Sequence, residues 1–146
     1  MANWGYVDSA EMKAFQEKLE QFAEIDKDTF CREAAKNLAA RLLRGAIENT
    51  PVKSGQLKKA WKCDYKVVYR GNEYRITVYN PQKYASYVEW GHRQEVGKYI
   101  PKLGKRLKKG WVDGKFMLTN AEKDLNPKVP AILEQQLQKK LERIFK

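Results

Sequence analysis

The period of the hydrophobic residues changes from helical to extended and back again along this chain, and this change restricts the fold most strongly. In residues 8–49 apolar side chains recur at the spacing of an α-helix, with an interruption at EIDKD. In residues 61–79 they alternate with polar ones on either side of Gly71-Asn72. In residues 115–146 the helical spacing returns. The order predicts an α+β fold with two N-terminal helices, a small antiparallel β-hairpin and C-terminal amphipathic helices.

Local signals set the limits of the N-terminal helices. Asp8-Ser9 can cap the first helix, with Glu11 placed as in a capping box. The second helix is predicted to end at the sequence NTP, because Pro51 disfavours helical geometry at Thr50.

A short helix over residues 81–91 is predicted to follow the hairpin. Asn80 can cap it, and Pro81 can occupy the first position, where a missing N–H costs least. Tyr84 and Tyr87 then share one face, which favours packing over a stacking platform for bases. Gly91 is suited to end the helix in a left-handed conformation.

The last helix is predicted to carry a continuous apolar stripe, although Pro130 blurs where it begins. The stripe consists of Val129, Ile132, Leu133, Leu137, Leu141 and Ile144.

Length and composition limit the number of domains and the compartment. With 146 residues, 42% of them hydrophobic, the chain can bury one modest core, so residues 1–146 are expected to form a single domain. Cys31 and Cys63 are too few for a disulfide framework and are interpreted as reduced, partly buried thiols. No signal peptide is recognisable, and no apolar run approaches the ~20 residues that span a bilayer. A soluble protein without a membrane partner is expected.

Positive charge is concentrated in residues 92–111, HRQEVGKYIPKLGKRLKKGW, which are predicted to form a long loop. The whole chain has 29 Lys and Arg against 18 Asp and Glu, and such an excess favours anionic partners. The candidate residues for contact with DNA or an acidic partner are Lys98, Lys102, Lys105, Arg106, Lys108 and Lys109. Binding of a phosphate backbone without sequence preference and a merely solvated loop are equally compatible with this pattern.

Catalytic chemistry has little support in the sequence. His92 follows Glu89 by three residues, a spacing at which a carboxylate can orient an imidazole on a helix. Gly91 is expected to end the helix between them, however, and no nucleophile or recognisable metal-ligand spacing accompanies the pair. A surface or capping role for His92 is therefore favoured, and no catalytic residue, metal or cofactor is predicted.

Four segments in a fixed order resemble the small tail-completion or head–tail joining proteins of tailed bacteriophages. They are NTPVKSGQLKKAW (49–61), the hairpin, NPQKYASYVEWGHR (80–93) and GWVDGKFMLTNAEKDL (110–125), followed by an amphipathic helix. The matching motifs are TPV-x-[ST]-G-x-L, YA-x-YVE-x-G and G-[RK]-x-ML. The resemblance extends from about residue 10 to the end. The residues interpreted as fold signals are Pro51, Ser54, Gly55, Leu57, Gly91 and Gly114.

The resemblance implies a non-enzymatic component of the virion neck, assembled in the host cytoplasm as a ring of six or twelve copies. Its implied partners are head-connector proteins and tail-terminator or tail-tube proteins, and the basic loop could touch genomic DNA without sequence preference. The candidate subunit interface consists of Tyr87, Glu89, Trp90, His92 and Arg93. A free DNA-binding accessory protein is the alternative, and a small nuclease or toxin that uses Glu89 and His92 is a weaker one.

Overall fold

The computed structural model describes residues 9–23, 27–52 and 55–145, and it confirms the predicted α+β class. In chain order the elements are α1 (Ser9–Ala23), α2 (Lys27–Asn49), α3 (Gln56–Lys59), β1 (Lys62–Arg70), β2 (Glu73–Tyr79), α4 (Ala85–Trp90), β3 (Gly91–Arg93), β4 (Tyr99–Ile100), β5 (Lys105–Arg106), β6 (Trp111–Asp113), α5 (Met117–Leu125), a 3-10 turn (Asn126–Lys128) and α6 (Val129–Phe145). The proposed cap Asp8, the fold-signal residue Ser54 and most of the EIDKD turn lie outside the described residues. The single-domain expectation stays a prediction.

The hairpin of β1 and β2 turns where the sequence predicts. Arg70 pairs with Glu73, and Gly71 and Asn72 between them have φ values of 58° and 62°. Two successive positive φ values are what a type I′ turn requires, and glycine and asparagine adopt them readily. Along β2, half-buried residues alternate with exposed ones, as predicted.

The alternation predicted for β1 is broken by a bulge. Asp64 pairs with Thr77 and Val68 pairs with Arg75, so three residues of β1 stand opposite one residue of β2. Only Val67 of this strand is buried, and Tyr65 beside it is about half exposed. Extra residues in one strand bend and twist it, so strict alternation does not survive here.

The main core lies where α2, α3 and α5 meet. Its buried members are Ala46, Leu57, Trp61, Met117 and Ala121. The helices approach closely, since a Cβ added at Gly45 would lie 3.1 Å from the Cβ of Ala121. Leu57, one of the predicted fold signals, and Trp61 both lie in this cluster and anchor the crossover from α2 to the hairpin.

A buried threonine closes the end of α2. Thr50 Oγ1 donates to the carbonyl of Ala46 at 2.6 Å and accepts from the indole N–H of Trp61 at 2.7 Å. The helix ends at Asn49, just before the position that Pro51 restricts. The crossover is thus held by a hydrogen-bonded chain as well as by apolar burial.

The C-terminal helix lies along α2. Asn37 donates to Gln136 at 3.4 Å, and Lys140 forms an ion pair with Glu33 at 3.2 Å. Of the predicted apolar stripe, Ile132 is buried, Leu137 is exposed and the other four residues are half-buried. The 3-10 turn before α6 absorbs the irregularity expected near Pro130, which stands in the first turn of the helix.

The short helix begins four residues later than predicted. Asn80 Oδ1 accepts from the N–H of Gln82 at 3.1 Å, while its amide donates to the carbonyl of Leu57 at 2.9 Å. The Asn80 side chain therefore forms a local turn tied to α3 instead of capping a helix. As a result α4 starts at Ala85.

The segment predicted as a basic loop is a β-hairpin, which we call the basic arm (residues 91–113). Strand β3 pairs with β6 at its base, and β4 pairs with β5 near its tip. Between them Gln94 donates to Gly110 at 2.9 Å, and Leu107 donates to Lys98 at 2.9 Å. The prediction of a loop is wrong because these backbone hydrogen bonds pair the two strands despite their irregular side-chain pattern.

The burial of the two cysteines agrees with a further expectation. Cys31 and Cys63 are free and half-buried. The pKa of Cys63 is raised, mainly by burial and to a smaller extent by the negative charge of the nearby Asp64. None of the helices in residues 9–23, 27–52 and 55–145 combines the length and apolar character needed to cross a membrane.

Candidate functional site

Two glycines join the basic arm to the body of the protein. A Cβ on Gly114 would lie 2.4 Å from the carbonyl oxygen of Glu89 and 2.9 Å from the nitrogen of Gly91. Gly91 has φ 85° and ψ 173°, so its φ is positive as expected but its backbone is not in the left-handed helical region. A Cβ there would lie 2.4 Å from the carbonyl oxygen of Val112. Only glycines allow this close crossing of backbones.

The buried side chain of Glu89 links the same junction to the start of α5. Its carboxylate accepts from the backbone N–H groups of Leu118 and Thr119 at 3.0 and 2.9 Å and from the Thr119 hydroxyl at 2.8 Å. These N–H groups belong to the first turn of α5, where helix donors have no partner within the helix. Phe116, the residue before α5, supplies no side-chain cap, so Glu89 caps the helix from a distance.

This role corrects the placement of Glu89 in a subunit interface. Its side chain is buried, and all three of its hydrogen bonds are internal. Its carboxylate is also committed to α5, so it does not orient His92. The Nδ1 atom of His92 is buried without a hydrogen-bond partner among the described residues. The two residues therefore do not form an acid–base pair.

The other candidate interface residues remain accessible. Trp90 is 61% exposed and contacts Phe116 edge to face, with ring centroids 6.0 Å apart. Tyr87 is 57% exposed, and its ring centroid lies 5.5 Å from that of His92, which is half-buried. Arg93 is exposed on β3. An aromatic surface thus surrounds the junction of α4 with the arm.

An apolar cavity of about 260 Å³ opens beside this surface. Its walls include Leu57, Tyr84, Tyr87, Val88 and His92. It is a concave, mainly apolar feature next to exposed aromatics, which suits contact with another protein surface.

The cations of the basic arm are not equivalent. Lys98 forms an ion pair with Glu95 at 3.7 Å, and Arg106 braces the arm by donating to the carbonyl of Gly97 at 2.8 Å. Lys105, Lys108 and other cations line a groove on one side of the arm. Lys98 and Lys102 are exposed and do not line this groove.

In the described part of the chain, no cluster of three or more His, Cys, Asp or Glu side chains could hold a metal ion. The described part of the site presents exposed aromatic rings, an apolar cavity and exposed cations on a hydrogen-bonded ribbon.

A family profile described as "Bacteriophage HK97-gp10, putative tail-component" matches residues 13–91. The chain belongs to this HK97-gp10-like family. Membership supports a structural role as a phage tail component, interaction with other virion proteins and a place in the virion. No curated protein and no solved structure matches the chain.

The part matched to the HK97-gp10-like family ends at Gly91, where the basic arm begins. It includes α2, the hairpin and α4, and with them Glu89 and Trp90. The resemblance expected from about residue 10 to the end is thus matched over residues 13–91, and the arm lies beyond it.

Sequence reasoning missed three residues of this tail-component protein that complete the site. Phe116 packs against Trp90, Lys115 adds a cation to the groove, and the Thr119 hydroxyl donates a hydrogen bond to the Glu89 carboxylate. All three follow Gly114 within five residues, so the motif GWVDGKFMLT was the available signal.

Proposed function

We propose that this protein is a non-enzymatic neck component that joins phage head and tail as part of a homo-oligomeric ring of six or twelve copies. Its neighbours would be head-connector and tail-terminator or tail-tube proteins, and it would assemble in the host cytoplasm. The observation that carries the proposal is the exposed aromatic surface around Trp90, at the junction of α4 with the arm, in a member of a phage tail-component family.

The subunit interface would consist of Tyr87, Trp90, His92 and Arg93, without the buried Glu89. A closed ring needs two different patches that meet head to tail. Trp90 projects outward beside the arm, and the cavity next to Tyr87 offers a concave counterpart on another copy. Aromatic and Arg side chains are the residue types that most often dominate such interfaces.

Replacement of Trp90 by alanine tests the interface. Loss of one buried aromatic at an interface can cost about 2 kcal/mol or more, which is enough to dissociate a weak ring. The Trp90→Ala protein is expected to stay folded, to lose self-association in sedimentation experiments, and to yield heads and tails that do not join.

Tyr65→Ala provides the matched control, since Tyr65 is 48% exposed on the hairpin, away from the arm junction. It should leave assembly unchanged. Normal self-association and normal virion yield from Trp90→Ala would contradict the proposed interface.

The basic arm favours a second candidate, a free DNA-binding accessory protein. Replacement of Lys105, Arg106, Lys108 and Lys109 by glutamine separates the two functions. A neck component predicts defective particle completion or genome retention with the fold intact, whereas a free binder predicts lost DNA affinity with normal particles. The nuclease alternative would need Glu89 to orient His92, whereas the Glu89 carboxylate accepts its hydrogen bonds from Leu118 and Thr119 of α5.

A further inference from the structure

The basic arm has a concave side on which positive charge converges. This groove has a volume of about 410 Å³. Its cationic walls are Lys105, Arg106, Lys108, Lys109 and Lys115, and the remaining lining includes Trp111 and one carboxylate, Asp113. We call this feature the arm groove.

The lining of the arm groove sets five cations against one carboxylate, Asp113. Among the described residues, none of them forms an ion pair with a carboxylate. Lys105, Lys108 and Lys109 are exposed, and so are Arg106 and Lys115. Like charges so close together repel one another, so a polyanion that replaces water and counterions in the groove would be favoured.

Backbone hydrogen bonds pair the two strands beneath these cations. Gly97 donates to Leu107 at 2.8 Å, Leu107 donates back to Lys98 at 2.9 Å, and the Arg106 guanidinium bridges to Gly97. Cations on a braced two-stranded ribbon lose less conformational entropy on binding than cations on a mobile loop. A two-stranded ribbon also has a width that a duplex groove admits.

Charge density favours nucleic acid over an acidic protein as the occupant. Duplex DNA presents one negative charge per about 1.7 Å of its axis, a density that matches several adjacent lysines. A protein interface would instead be expected to place a desolvated apolar or aromatic centre inside a rim of charge. In the arm groove five cations stand among four apolar residues (Leu103, Leu107, Trp111 and Val112), so charge is not depleted there as it is at the centre of a protein interface.

We propose that the arm groove binds the phosphate backbone of double-stranded DNA without sequence preference, and that Lys105, Lys108 and Lys109 provide three of the phosphate contacts. This inference deepens the proposed neck function, which would bring the protein close to the genome. The cations outside the groove, Lys98 and Lys102, contribute little to binding.

The test compares two triple variants of the full chain, which remove the same charge from different places. One is Lys105→Gln with Lys108→Gln and Lys109→Gln. The control is Lys123→Gln with Lys128→Gln and Lys139→Gln, three exposed lysines near the C-terminal helices. Each variant removes three positive charges from a net charge of +11. Binding of a fluorescent 20-base-pair duplex is measured by anisotropy between 50 and 200 mM NaCl.

The magnitude follows from counterion release. Each phosphate contact contributes a slope of about −0.9 in log affinity against log salt, so a fourfold rise in salt weakens binding about 3.5-fold per contact. Three contacts correspond to about 40-fold. The wild type and the control should therefore lose about 40-fold more affinity over this salt range than the groove variant.

Equal salt slopes for the two triple variants would overturn the proposal, because net charge alone would then explain binding. Tighter binding of single-stranded DNA, or equal competition by polyglutamate of the same charge, would also overturn the assignment to duplex DNA. The test of DNA binding and the test of the neck function can fail separately. Trp90→Ala can abolish head–tail joining while DNA binding persists, and the groove variant can lose DNA binding while heads and tails still join.

Discussion

Removal of the Glu89 carboxylate should destabilise the protein without directly altering its outer surface. The carboxylate accepts three hydrogen bonds from Leu118 and Thr119 at the start of α5, at distances between 2.8 and 3.0 Å. In Glu89→Ala these donors lose their acceptor in a site where the side chain is only 8% exposed. The first turn of α5 also loses a negative charge that interacts favourably with the positive end of the helix dipole.

The expected cost can be worked from these contacts. Loss of hydrogen bonds to a charged group costs about 1.5–3 kcal/mol, and loss of a helix cap about 1 kcal/mol. Since the two effects share the same donors, we expect Glu89→Ala to lower the free energy of unfolding by about 3 kcal/mol. Glu89→Gln keeps an oxygen acceptor but loses the charge, so its cost should be about 1 kcal/mol.

Urea unfolding followed by circular dichroism measures both variants. In a chain of 146 residues, a loss of about 3 kcal/mol should also lower Tm by roughly 6–12 °C. Glu122→Ala is the control, because Glu122 is exposed on the same helix and surface changes usually cost less than about 0.5 kcal/mol. If Glu89→Ala is as stable as Glu122→Ala, Glu89 does not cap α5.

Two further changes test the arm junction and the packing of the hairpin. Gly114→Ala would place a Cβ 2.4 Å from the carbonyl oxygen of Glu89, and it should lower the free energy of unfolding in urea by about 1–3 kcal/mol. Gly110→Ala is the control, because its nearest contact would be at 3.7 Å, and it should leave stability unchanged. Equal stability of the two variants would contradict the close crossing of the backbones. The pKa of Tyr74 is raised from 10.0 to about 12, mainly by burial and next by the hydrogen bond that Tyr74 donates to Asp28. The stabilisation that goes with this raised pKa is complete below pH 10 and is lost as the pH rises through about 12. The difference in free energy of unfolding between wild type and Tyr74→Phe should therefore shrink over that range. A constant difference would refute the stabilising role of the neutral Tyr74 side chain.

The sequence predicts the elements whose signals are local. The position of the hairpin turn follows from Gly71-Asn72, because few other residue pairs adopt two positive φ values. The end of α2 follows from Pro51, which acts on the residue directly before it. The apolar period of α2 is long enough to be distinguished from a strand.

The parts that sequence reasoning missed depend on partners distant in the chain. Glu89 caps a helix that starts 28 positions later, and nothing beside it in sequence shows that its acceptors will be used there. Asn80 looked like a helix cap, but its amide reaches back to Leu57. The arm lacks an alternating pattern because both of its faces are exposed over most of its length, so burial does not select the side chains.

The segment YVEWG shows why one motif can specify both a fold and a contact surface. Glu89 and Trp90 are neighbours on α4, yet one side chain is buried against α5 and the other is 61% exposed. Gly91 then fixes the direction of the arm through backbone contacts that no side chain permits. Glu89 and Gly91 therefore build the junction, while the Trp90 side chain between them faces outward.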